Sequence, residues 1–297
     1  MPMRDRRSIL HMAAVGFAVG IVSPRLFAQE RAAEALRPLT GGVAPIGKAE
    51  RADRLRRAQA MMQREGIDAL LVEPGMQGPA GMIAQPKGWL GRVAQIAQGH
   101  GTQLIADEVM TGWGRTGTLF ACEQAGVVPD IMAVAKGITG GSIPLAATLA
   151  TAPIFAAHHS TDRARLFYHS SSYTANPIAC AAAAANLAIW RDEDVLGRIV
   201  RLAQAMAERL ADLAGGPAFA NPRQAGTIAA IDLVARDAGY LSDLAPRLRA
   251  FFLEKGLLLR PLGNTIYLMP PYCLDASQLD RIFAALHAAG EKFGLHA

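Results

Sequence analysis

Apolar positions recur along this chain in two patterns, separated by glycine, proline and asparagine. Residues 67–72 (IDALLV), 102–107 (TQLIAD) and 131–135 (IMAVA) are short, nearly continuous apolar runs. Such runs suit strands covered on both faces. In the last third, residues 227–234, 257–260 and 265–269 have the same character and are also expected to be strands. The second pattern has helical spacing. Residues 89–98 form one candidate helix, and residues 195–213 form a long amphipathic one that stops at Gly215 and Gly216. Asn176 followed by Pro177 predicts a capped helix start, and an alanine-rich run continues from there to Trp190. Leu279, Ile282, Phe283 and Leu286 mark one face of a final helix. Alternating strands and helices predict an α/β fold with a mostly parallel sheet, followed by a small α+β C-terminal domain.

The N-terminal part has a different pattern. Arg6 and Arg7 precede an apolar run over residues 12–22, and LFAQE follows. This resembles a twin-arginine export signal, with cleavage expected after Ala28. Residues 29–47 include LRPLTGGVAP and read as linker. In residues 48–71, a helical stripe through Leu55, Ala58 and Met62 ends at Gly66 and leads into the first strand. This unit resembles the start of the N-terminal domain of creatinase/aminopeptidase-P-like proteins. The expected division is a signal at 1–28, a linker at 29–47, this fragment at 48–71, a large domain at 72–215 and a small domain at 216–297.

Composition narrows the function. The chain has 297 residues, 51% of them hydrophobic, which is enough for a substantial core. Net charge is +5, but no basic stretch is interleaved with aromatics, so no nucleic-acid partner is expected. Cys122, Cys180 and Cys273 are far apart and are expected to be buried or half-buried thiols, not a disulfide framework or zinc site. No metal is expected, and no apolar run reaches membrane-spanning length.

Chemistry enters with Lys136 and Asp107. Each stands at the C-terminal end of an apolar strand, Lys136 at the head of a glycine-rich turn. Pyridoxal-phosphate chemistry needs such a pair: an amine for a Schiff base, and a carboxylate to keep the pyridinium protonated as an electron sink.

The surrounding motifs strengthen this reading. ADEVMTGWGRTG, PDIMAVAKGITGG, HSSSYTANPIACAAA and LLLRPLGNTIYLMPPY follow in that order. From about Val72 onward the chain resembles the class III aminotransferases of fold-type I. Within that family, RPLGNTIYLMPPY is most similar to the adenosylmethionine-dependent branch that serves biotin synthesis. The resemblance implies a fold-type I large domain plus the small domain, a pyridoxal 5'-phosphate cofactor and a homodimer. It also implies S-adenosylmethionine as amino donor, 8-amino-7-oxononanoate as acceptor and a cytoplasmic location, whereas the leader implies export.

Residue by residue, the resemblance makes Lys136 the Schiff-base lysine and Asp107 the pyridinium partner. Val109 would pack on a ring face, and Glu73 would lie near the cofactor. Ser172, with Ser171 as competitor, would reach the phosphate of the partner subunit's cofactor. Arg260 would pair with the substrate carboxylate, while Arg115 and His169 would be structural. The family's phosphate-binding Gly-Ser turn and ring-stacking aromatic have no counterpart before Val72. The expectation is therefore weak cofactor binding and impaired turnover. The alternatives are a non-catalytic remnant and another class III omega-aminotransferase.

Overall fold

The structure, a computed structural model, describes Asp53, Arg57, Arg64 and residues 69–297 apart from Ser170, Asp237, His296 and Ala297. The chain divides into residues 1–64 and residues 65–297. In the first unit the three described residues are helical. Arg57 and Asp53 pair there at 2.9 Å with both side chains exposed, an i,i+4 contact of small energetic weight. The signal expected at 1–28 and the linker at 29–47 lie outside the described residues.

The second unit holds two larger sheets. Its elements are β1 (Ala69–Val72), a small hairpin of β2 (Met76–Gln77) and β3 (Ile83–Ala84), α1 (Trp89–Gly99), β4 (Gln103–Asp107), β5 (Ile131–Val134), β6 (Ala147–Ala150), α2 (Ala152–His158), α3 (Pro177–Asp192), α4 (Val195–Ala214), β7 (Phe219–Ala225), β8 (Ile228–Leu233), α5 (Leu244–Glu254), β9 (Thr265–Leu268) and α6 (Ala276–Phe293). The first sheet has the order β1-β4-β5-β6. β1, β4 and β5 run parallel, while β6 pairs antiparallel with β5, so the sheet is mixed. Register sets the strand ends side by side: Val72 lies opposite Ala106, and Asp107 opposite Ala133. Val72, Leu90, Leu104, Ala106 and Cys122 form the core beneath α1. β1 ends the segment that resembles a creatinase-like fragment, yet its neighbour is β4. It is thus an outer strand of the sheet that carries Asp107 and Lys136.

Local chemistry explains the helices. The Asn176 side chain accepts from the Ile178 and Ala179 N–H groups at 3.0 and 3.3 Å, and Pro177 opens α3. Asp194 caps α4 by accepting from the Gly197 N–H at 2.9 Å. Ile199, Leu202, Met206, Leu210 and Leu213 make the buried stripe of α4. Asp275 and Gln278 form a capping box at the start of α6. The second sheet, the antiparallel β7-β8-β9, packs with α4, α5 and α6 around one large core that includes Phe252, Leu248, Ile231 and Leu286.

Two expectations need correction. Residues 257–260 are not a strand. Leu257 and Leu259 pack on the core while Leu258 and Arg260 face solvent, so the alternation is present. The run nevertheless joins no ladder, and the sheet order ends at β7 and β9. The thiols also differ from expectation: Cys122 is buried, but Cys180 and Cys273 are exposed. Cys180 sits on the outer side of α3, and Cys273 in the turn before α6. β7, β6, α2, α5 and the β2–β3 hairpin are elements that the apolar pattern did not predict.

Candidate functional site

Three parallel strand ends create one edge. In open α/β sheets, ligands bind outside the carboxyl ends of the strands. Glu73 follows β1, Asp107 closes β4, and Lys136 comes two residues after β5. One Asp107 oxygen accepts from the Val109 N–H at 3.0 Å. Its other oxygen takes no hydrogen bond among the described residues, and neither does Asp107 pair there with Lys136. The next residue anchors the loop. Glu108 is fully buried, and its carboxylate accepts from the Thr111 hydroxyl at 2.6 Å and the Cys122 N–H at 2.8 Å. Burial first, and then the Glu108 charge, push the Cys122 thiol up to about 12.

Lys136 opens a single turn of 3-10 helix, Lys136–Thr139. Its φ of 46° lies in the left-handed region, which non-glycine residues rarely adopt. Several bonds over-determine the turn. The Gly141 N–H donates to the Lys136 carbonyl at 3.1 Å. The Thr139 hydroxyl donates to the Ile143 carbonyl at 2.6 Å, and the Ser142 hydroxyl to the Thr139 carbonyl at 2.8 Å. From α3, the Asn186 amide donates to the Gly137 and Ile138 carbonyls at 2.9 and 3.2 Å. The Lys136 side chain is exposed and makes no ion pair among the described residues.

Glu73 is half-buried and partly committed to structure. Its carboxylate accepts from the Gly78 N–H at 3.0 Å, and its carbonyl from the Gln85 amide at 2.5 Å, which holds the β2–β3 hairpin. Val109 is half-buried beside Asp107. The fold therefore brings Glu73, Asp107, Val109 and Lys136 to one sheet edge. Ser172 and Ser171 lie exposed in the turn before α3, and Arg260 lies exposed between α5 and β9. No described contact joins these three to that edge. His169 stacks on Phe167. Arg115 donates to the Pro270 carbonyl at 2.6 Å, and its guanidinium lies 4.6 Å above the Tyr272 ring, a structural role.

Trp113 and Asn186 escaped the sequence reading although both contact the lysine turn. Trp113 stands within GWGRTG, and a tryptophan between two glycines was a usable signal. A cleft of about 510 Å³ lies at the opposite end of β4, between α1 and residues 126–130, and includes none of the site residues. Among the described residues, no cluster of His, Cys, Asp or Glu could hold a metal ion, and no helix is long and apolar enough to cross a membrane.

Comparison with known proteins shows the family of the fold. The aminotransferase class-III family model matches residues 37–289. The chain belongs to the class-III aminotransferase family, whose members are pyridoxal-phosphate-dependent enzymes. It is 46% identical over 221 residues to the adenosylmethionine-8-amino-7-oxononanoate aminotransferase of Synechococcus elongatus, covering 74% of this chain and 51% of that protein. The crystal structure of the enzyme of that name from Methanocaldococcus jannaschii superposes with a TM-score of 0.72 at 32% identity, covering 81% of this chain and 58% of that one. An (S)-enantioselective omega-transaminase from Thermomicrobium roseum gives a TM-score of 0.72 at 31% identity, covering 81% and 55%. The chain thus spans about half the length of the curated relatives it matches. The family match also takes in residues 48–71, the segment set against creatinase-like proteins.

The donor set fits pyridoxal phosphate. Among the described residues, a carboxylate with one unbonded oxygen closes β4, and a lysine amine without an ion-pair partner follows the neighbouring β5.

Proposed function

We propose that this chain binds pyridoxal 5'-phosphate at the edge formed by β4 and β5 and transfers the amino group of S-adenosylmethionine to 8-amino-7-oxononanoate. The observation that carries the reading is the register that sets Asp107 beside Ala133, three residues before Lys136. The likeness to relatives of that name supports the choice of substrates. When bound, the cofactor supplies an electron sink for the carbon that loses or gains the amine.

The protein residues do the rest. The unbonded Asp107 oxygen would accept the pyridinium N–H. The Lys136 amine would attach the cofactor and, when free, would take up and return the substrate's proton at Nζ. Val109 would lie against the ring, and Glu73 would stay near it while anchoring its own hairpin. Arg260 offers a planar fork to the acceptor's carboxylate. Ser172 donates its hydroxyl to a phosphate oxygen of the cofactor in the partner subunit of a homodimer. For residues 1–28, the export-signal reading stands as part of this proposal.

A second reading has its own support. Lys136, Ser172 and Arg260 are all exposed in the single chain. A site this open favours weak cofactor binding and little or no turnover. The likeness to the omega-transaminase supports a different amine as donor.

The test loads the chain with pyridoxal phosphate and supplies S-adenosylmethionine, or β-alanine as an alternative amine, with mass spectrometry of the deaminated product. The proposal expects product from S-adenosylmethionine that disappears in Lys136→Ala. Product from β-alanine alone supports the omega-type donor. No product from either amine, or product indifferent to Lys136→Ala, contradicts the assignment.

A further inference from the structure

Trp113 combines features that its own loop does not explain. It is only 8% exposed, and its φ is 59°, again in the left-handed region. Its indole N–H is buried without an acceptor among the described residues. An unpaired buried donor is costly, so packing and not polar direction holds this ring. The ring meets Phe120 edge-on with centroids 6.0 Å apart, and Trp190 at 6.3 Å.

The other neighbour is the lysine turn. A Cβ placed on Gly137 would lie 2.5, 2.7 and 2.8 Å from three Trp113 side-chain carbons. Only a glycine fits between Lys136 and the rest of the turn. Asn186 on α3 donates to the Gly137 carbonyl at 2.9 Å. The Gly137 backbone is thus held by an indole and an amide, with Lys136 attached directly to it. Left-handed conformations at non-glycine residues persist where the surroundings over-determine them, and here one such residue, Trp113, packs on Gly137 while the other, Lys136, directly precedes it.

Trp113 is itself held from 159 residues away. The Tyr272 hydroxyl donates to the Trp113 carbonyl at 2.6 Å. Tyr272 stacks under Arg115, which also bonds Pro270, and meets Trp190 edge-on at 6.5 Å. Burial keeps the Tyr272 phenol above its ordinary value although the Arg115 charge opposes this. The hydroxyl therefore stays a donor at neutral pH.

We propose that Trp113 is a positioning residue for Lys136, set in place by the Tyr272 hydroxyl, so that the segment after β9 fixes where the lysine amine sits relative to Asp107. This rests on the reading of Lys136 as the attachment point. A purely structural Trp113 would change unfolding but not the relative behaviour of Lys136.

The test exposes the full chain to subsaturating pyridoxal phosphate and borohydride, then quantifies pyridoxyl label at Lys136 against exposed Lys87 and Lys255 in the same molecules. The wild type is expected to favour Lys136. Tyr272→Phe removes one hydrogen bond and is expected to lower that preference about three- to tenfold while the melting temperature stays near wild type. Trp113→Ala, which removes two of the three side-chain carbons nearest Gly137, is expected to lower the preference too and decides the matter if Tyr272→Phe fails to fold. Wild-type preference retained in the folded variants overturns the positioning role and leaves the attachment reading intact. Equal labelling of all three lysines in the wild type overturns the attachment reading itself, and the positioning role with it.

Discussion

At the scale of single residues, the two groups central to the proposed chemistry are readable from their flanks. AVAKG and ADEV each end an apolar run on an ionisable residue, and the fold sets those ends on neighbouring strands. The backbone state of Lys136 was not readable, because a positive φ at a lysine arises from the Trp113 and Asn186 contacts around it. Cys122 offers a residue-scale prediction. Its thiol is raised from 9.0 to about 12 by burial and by Glu108. The folded state thus keeps a proton that the unfolded state releases. The stabilisation linked to that proton is complete below pH 9 and is lost as pH rises towards 12. Melting temperatures between pH 8 and 11 are expected to fall more steeply in wild type than in Cys122→Ala. Equal slopes would contradict this assignment. In alkylation at pH 8, Cys180 and Cys273 are expected to react and Cys122 to remain unmodified in the native protein.

At the scale of elements, legibility followed local chemistry. The start of α3 was evident because Asn176 and Pro177 carry the capping information in two adjacent residues. Asn176→Ala leaves the Ile178 and Ala179 N–H groups without their acceptor, so urea unfolding is expected to show a loss of about 1 kcal/mol. A change below a few tenths of that would mean water replaces the cap fully. β7 was hidden because Asn221 and Pro222 interrupt it. Asn221 is left-handed at φ 52°, and the ladder shifts register between Ala220 and Arg223. In a sequence such a bulge looks like a turn. α5 was missed although Leu244, Leu248, Phe251 and Phe252 are buried at helical spacing, a pattern that was there to be read. The run at 257–260 shows the reverse error: an alternation that packs without pairing looks the same as a strand until the ladders are known.

At the scale of the whole molecule, the order of the motifs carried the family, and the alternation of apolar runs and helical stripes carried the fold class. The sequence could not show how the parts interlock. Arg223 on β7 donates to the Gly81 and Met82 carbonyls near the β2–β3 hairpin and pairs with Asp232 at 2.8 Å. Arg115 and Tyr272 tie the loop after β4 to the segment after β9. Apart from the Arg223–Asp232 pair, these contacts join residues more than a hundred positions apart, and no local pattern announces them. The C-terminal core is the larger of the two sheets' cores, and Phe252 is fully buried in it. Phe252→Ala is expected to cost about 3–5 kcal/mol in denaturant unfolding, the range for a large buried aromatic. A loss under 1 kcal/mol would show that this core repacks freely.

The central claim is that the edge shared by β4 and β5 is a pyridoxal-phosphate site attached through Lys136. The most direct measurement is a titration of the full chain with pyridoxal phosphate, following visible absorbance, with borohydride trapping and peptide mapping at the end. The account predicts a protein-bound band in wild type, label at Lys136, and no band in Lys136→Ala. A band of equal strength in Lys136→Ala, or label confined to other lysines, would contradict it.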